Sequence, residues 1–165
     1  MTADIRLLVL DIDGTIAGHS NQITKRVLDR IREVQAKGIQ VAIATGRMYR
    51  SALRFHAQVG STLPLMAYQG AFIKDPRTQR LLRHSPLPRN LAMEILTYLA
   101  PLESQEALSI HLYIDDVLHV RAVVEDTIAY AERSGVEPLA AGDLYQLLQQ
   151  NSDLDTTKLL ALSAD

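Results

Sequence analysis

The chain has 165 residues, of which 47% are hydrophobic, 22% charged and 5% aromatic, with a formal net charge of −2 and no cysteine. That length supports one good core, or one domain and part of another, and a near-neutral chain without a basic cluster argues against nucleic acid or an anionic membrane surface as partner. Disulfides, thiolate catalysis and Cys-based zinc sites are excluded together.

No window approaches the ~18 uncharged apolar residues of a membrane span. An acid precedes any long apolar stretch at the start, so no secretory signal is read there and a cytoplasmic protein is expected.

In chain order, residues 5–10 form a short apolar run rich in Leu, Ile and Val, the pattern of a buried strand. After a loop around Gly14 to Asn21, Thr24 is placed to cap a helix running to about Lys37. Val27, Leu28, Ile31 and Val34 fall on one face of that helix, and Gly38 supplies its stop. Residues 39–44 read as a second buried strand, about 48–59 as a helix, and 63–68 as a third strand. Strand and helix alternating with short connections predict a parallel sheet with right-handed crossovers.

From about Gly70 the pattern changes. Residues 71–74 and 80–82, joined by Asp75-Pro76-Arg77-Thr78, read as a hairpin. A helix is expected over 89–99, stopped near Pro101. Runs 108–114 and 117–123 around Asp115-Asp116 read as a second hairpin, with His111 and His119 facing each other across it. Helices over 125–134 and 143–149 and a last strand over 157–162 complete an α+β half with antiparallel pairing. The five histidines show no metal-ligand spacing.

The stretch Asp11-Ile12-Asp13-Gly14-Thr15 places two carboxylates, two residues apart, behind an apolar strand. Chemistry in such sheets collects at the carboxyl ends of strands. Paired carboxylates repel unless a cation or a shared proton relieves them, and Mg²⁺ suits one or two carboxylates with waters and phosphate oxygens. The other carboxylate is then available as a nucleophile. At the next strand end, Thr45-Gly46-Arg47 offers a hydroxyl, a close backbone and a helix start, the parts of an anion site.

"DIDGT" followed by "AIATGR" resembles the haloacid dehalogenase superfamily of Mg²⁺-dependent phosphatases and phosphotransferases, and the later "YQGAFI" resembles its Cof-type branch, subfamily IIB. The resemblance implies a HAD-like Rossmannoid α/β core over 1–82, incomplete, and the first part of an α+β C2-type cap over 83–165. It implies Asp11 as nucleophile and Asp13 as general acid and base, with Mg²⁺ held by Asp11 and by the backbone carbonyl of Asp13. Thr45 and Gly46 would bind the transferring phosphoryl group, with Arg47 adding positive charge or holding the helix start. Gln69-Gly70 departs from the family's usual Asn-Gly.

Two family parts are not found: a late lysine opening a helix, and a Gly-Asp pair with a further Asp. Lys158 is read as a cap-strand residue, Asp115-Asp116 as a hairpin tip and Gly142-Asp143 as a helix start. The arginines 77, 80, 83 and 89 are read as solvated surface. The chain is therefore expected to be the front of a longer phosphatase, or a truncated gene product, ending within the cap. Its open sheet edge is expected to be covered by a second copy or by a C-terminal segment. The expected substrate is a small phosphorylated metabolite such as a sugar phosphate. A phosphotransferase or mutase is the neighbouring expectation, and a non-catalytic, oligomeric anion-binding remnant the alternative from another class.

Overall fold

The computed structural model describes residues 5–105 and 108–163. It divides into two compact units, with the division between His84 and Ser85.

In the first unit, β1 (Leu7–Leu10) pairs in parallel with β2 (Gln40–Ile43), Leu10 standing opposite Ile43. Between them runs α1 (Lys25–Ala36), whose N-cap is Thr24, its hydroxyl accepting from the Val27 amide. Gly38, at φ +80°, turns the chain back to the sheet in a conformation that a side chain would oppose. Helix α2 (Tyr49–Val59) follows and buries Tyr49, Ala52, Phe55, His56 and Val59. Strand β3 (Leu65–Ala67) joins β2 through one parallel bridge, Ala44 to Met66. Antiparallel β4 (Phe72–Lys74) and β5 (Leu81–His84) then extend β3.

The β1 side of this unit is thinly covered. Leu7 and Val9 are about half exposed, at 50% and 48%. On the opposite face an apolar cleft of about 330 Å³ lies between Leu8, Leu10 and α1 residues Val27, Ile31 and Val34.

The second unit is a four-stranded sheet in the order β8-β7-β6-β9, formed by β6 (Ser109–Ile114), β7 (Val117–Val120), β8 (Pro138–Ala140) and β9 (Thr156–Leu162). On one face Ile110, Leu112 and Ile114 pack against Ala92 and Leu96 of α3 (Arg89–Ser104) and Leu144 and Leu148 of α5 (Leu144–Gln150). On the other face α4 (Glu125–Ser134) sets Tyr130 against Tyr113, hydroxyl to hydroxyl at 2.6 Å, and against the His111 ring at 4.8 Å. Burial against this face pushes the Tyr113 hydroxyl well up from its ordinary value.

Several expectations are corrected here. Helix α3 passes through Pro101 instead of stopping before it. Pro101 has no N–H to offer the Thr97 carbonyl one turn back, and Thr97 is exposed, so water can serve it. The half-chain is not purely antiparallel, because β8 pairs in parallel with β7. A three-residue edge strand opening on Pro138 carries too little alternation to be read from sequence. His111 stands opposite Val120, and His119 opposite Leu112, so the one-residue offset puts the two rings on opposite faces.

Other readings hold. Asp115 and Asp116, at φ +49° and +58°, make the tight hairpin turn, and the Asp143 carboxylate caps α5 through the Gln146 amide. Arg89 is a correction of a different kind: its guanidinium donates to the Leu148 and Gln149 carbonyls at the end of α5, so it ties two helices together. Among the described residues, no helix is long and apolar enough to cross a membrane.

Two outcomes test this packing. Leu112 is fully buried, so Leu112→Ala should cost about 2–5 kcal/mol of unfolding free energy in urea titration; a cost below about 1 kcal/mol would mean that the site collapses freely. His111 is fully buried and neither ring nitrogen has a hydrogen-bond partner. Burial, and then the charge of Lys158, holds its imidazole down at about 4 from 6.5. Between these values the unfolded chain binds a proton that the folded chain does not, so stability falls as pH drops through that window. In His111→Leu the fall in urea midpoint between about pH 7 and about pH 5 should shrink; an undiminished fall would assign it to other groups.

Candidate functional site

The parallel register brings the ends of β1 and β2 together, and the next bond, Ala44 N–H to the Leu10 carbonyl at 3.0 Å, carries the pairing to the edge of the site. Asp11 and Asp13 follow β1, both exposed to solvent, with Ile12 fully buried between them. The Ile12 carbonyl accepts from the amides of Ile16 and Ala17 at 3.1 and 2.9 Å, which winds the chain into a tight loop. Gly14, at φ +73°, makes that winding possible. The loop is laced by a parallel bridge between Asp13 and Ala17 and an antiparallel one between Ala17 and Ile23.

Thr45 is buried after β2. Its amide donates to the Met66 carbonyl at 2.9 Å, its carbonyl accepts from the Gln69 amide at 2.9 Å, and its hydroxyl accepts from the Arg47 amide at 3.2 Å. These bonds place three strand ends side by side. A Cβ built on Gly46 would meet the Gln69 side chain at 3.5 Å, ordinary contact, so closeness to Gln69 does not by itself demand glycine at 46. Gln69 itself adopts φ +57° at the short turn after β3, so the Gln that replaces the expected Asn lies beside the site.

Arg47 is the centre of the charge arrangement. Its Nε donates to Asp13 Oδ2 at 2.9 Å and its Nη2 to Asp13 Oδ1 at 2.7 Å, a two-pronged pair. Only 12% of the Arg47 side chain is exposed, against 54% of Asp13. Nη2 also donates to Asn21 Oδ1 at 2.6 Å, Nη1 reaches Ser51 Oγ at 3.4 Å, and the guanidinium lies 4.8 Å from the Phe55 ring centre. Arg54 lies against the same ring at 4.6 Å; burial and the neighbouring Arg47 charge lower its pKa from the ordinary arginine value.

All five residues singled out from the sequence, Asp11, Asp13, Thr45, Gly46 and Arg47, thus lie at adjoining strand ends. Sequence reasoning missed Asn21 and Ser51. Neither carries a motif, although Ser51 lies four residues after Arg47, one helical turn on. Lys158 is in β9 of the second unit, its ammonium 5.5 Å from the Tyr113 ring, with burial lowering its pKa. Among the described residues, no group of three or more His, Cys, Asp or Glu side chains could hold a metal ion.

Comparison with known proteins completes the picture. The chain is 28% identical over 113 residues to the 5-amino-6-(5-phospho-D-ribitylamino)uracil phosphatase YitU of Bacillus subtilis, covering 68% of this chain and 40% of that protein. Its fold matches TM0651 from Thermotoga maritima at 30% identity and a TM-score of 0.73, over 95% of this chain and 56% of that one. It also matches the HAD subclass IIB sugar phosphatase BT4131, at 13% identity and a TM-score of 0.71, over 94% of this chain and 58% of that one. The chain thus spans roughly half the length of the proteins that it matches. Residues 8–163 fit the family model of the haloacid dehalogenase-like hydrolases. That match runs through almost the whole sequence and through both units, and on that ground the chain belongs to the haloacid dehalogenase-like hydrolases.

Proposed function

We propose that this chain carries the phosphoryl-handling part of a Mg²⁺-dependent phosphomonoesterase acting on small phosphate esters. The observation that supports this best is the meeting of Asp11 and Asp13 with Thr45, Gly46 and Arg47 at adjoining strand ends. In this reading an Asp11 carboxylate oxygen attacks phosphorus and the P–O bond to the alcohol breaks. Asp13, protonated once one of its oxygens is released from Arg47, gives its proton to the departing oxygen. Asp13 then takes a proton from water, whose oxygen attacks the phosphoaspartate and restores Asp11 with release of inorganic phosphate. The Thr45 hydroxyl and the amides around Gly46 orient the phosphoryl oxygens, and Arg47 supplies positive charge beside them.

The oxygen donors suit Mg²⁺, which takes few protein ligands and completes its shell with water and phosphate. Both Asp13 carboxylate oxygens face Arg47, so the fitting ligands are the Asp11 carboxylate and the Asp13 main-chain carbonyl. Bound there, the ion would neutralise charge on the transferring group. The first unit is then the catalytic core and the second the cap. Passing the phosphoryl group to an alcohol instead of water needs no further protein group.

One observation favours a second reading, an oligomeric anion-binding protein without turnover: the two-carboxylate site has no third acidic side chain among the described residues. Hydrolysis of a generic phosphate monoester with Mg²⁺ separates the readings. Under the first, Asp11→Asn abolishes turnover and Asp13→Asn lowers kcat by about 10²–10⁴. Under the second, the folded chain binds phosphate, seen by ³¹P line broadening, and turns nothing over.

Association follows from the thin cover over β1. Its apolar, half-exposed outer face and open edge suit pairing with β1 of a second copy across a two-fold axis. Sedimentation should therefore show a dimer that Val9→Glu weakens with the circular dichroism unchanged. A stable monomer at all concentrations would overturn this and leave the edge to further polypeptide.

A further inference from the structure

We propose that Asn21 is a positioning residue of this site, acting through Arg47 on Asp13. A guanidinium can grip a carboxylate side-on, through Nε and one Nη, or end-on, through both Nη groups. Here it grips side-on, with Nε and Nη2 on Asp13. The second Nη2 proton goes to Asn21 Oδ1 at 2.6 Å, the shortest of the four bonds that the side chain makes. An end-on grip would swing Nη2 away from Asn21. The carboxamide oxygen therefore selects between the two grips and fixes where the Asp13 oxygens stand.

Other contacts of Arg47 do not make this choice. The Ser51 bond is long, at 3.4 Å, and the Phe55 face accepts a guanidinium in any rotation about its normal. Arg54 on the same ring repels Arg47 without directing it. Asn21 in turn is well anchored: its amide donates to the Gly18 carbonyl at 2.9 Å, inside the loop closed by the Ala17 to Ile23 bridge. Its backbone adopts φ +55°, where glycine is cheapest and asparagine tolerated. The turn alone would be served at least as well by glycine; what asparagine adds is the acceptor.

That contrast gives the test. Asn21→Gly keeps the turn and removes the oxygen, so a merely structural role leaves the site unchanged. The full chain, ¹⁵N-labelled at arginine and with Arg47 signals identified by Arg47→Lys, is observed at fixed pH. In the wild type the Arg47 Nη protons should be resolved by hindered rotation of the guanidinium. In Asn21→Gly, with melting temperature equal or higher, rotation should speed up at least about tenfold and merge them. Asn21→Asp, which keeps an acceptor, should retain the hindered pattern. Unchanged Arg47 signals in Asn21→Gly overturn the proposal, as does merging in Asn21→Asp with the fold intact.

Should Asn21→Gly fail to fold, Asn21→Ser decides: its shorter side chain should merge the signals, and a retained pattern overturns the proposal. The consequence for turnover rests on the phosphoryl-transfer reading, under which Asn21→Gly lowers kcat about 10–100-fold with KM little changed. Absence of turnover in the wild type would count against that reading alone, since the Arg47 signals do not depend on it.

Discussion

The parallel pairing of β1 with β2 creates the problem that the rest of the site solves. Leu10 opposite Ile43 puts two strand ends side by side, and the first carries two carboxylates within three residues. Charges so placed repel unless a cation joins them. Arg47, four residues beyond the end of the second strand, meets one of them with two hydrogen bonds and is itself largely buried. A buried cation is costly without a partner. The Asp13 to Arg47 pair thus satisfies both groups at once, and Asp11 is left facing solvent.

The surrounding loops exist to hold that arrangement. The Ile12 carbonyl takes three backbone amides, Gly14 turns the chain, and two bridges lace the segment to Ile23. Thr45 spends its amide, carbonyl and hydroxyl on neighbouring backbone. The cost of this ordering is met by packing elsewhere in the unit, where Ile43, Ala52, Phe55 and Leu65 are almost wholly buried.

The two units solve burial differently. In the second, both faces of the sheet are covered by helices, and the polar groups caught beneath α4 pair with one another, as Tyr113 does with Tyr130. His111 meets the Tyr130 ring but, among the described residues, neither ring nitrogen has a hydrogen-bond partner, and burial holds its imidazole below the ordinary value. In the first, among the described residues, β1 pairs on one edge alone and its Leu7 and Val9 are half exposed, an unusual state for a parallel sheet.

Where caps and turns act over a few residues, the sequence was mostly enough. Thr24 caps α1, Gly38 turns the chain after it at positive φ, Asp115-Asp116 turns a hairpin, and Asp11, Asp13, Thr45, Gly46 and Arg47 follow strand ends. Apolar periodicity gave most elements to within a few residues, because local patterning and burial agree there. What depends on register, or on a partner far along the chain, was decided only in three dimensions. His111 and His119 part company because of a one-residue offset that composition does not encode. The β8 pairing and the survival of α3 through Pro101 depend on neighbours and solvent, not on propensity. Asn21 reaches Arg47 across 26 positions, and only the folding of the loop over the strand end turns an ordinary turn residue into part of the site.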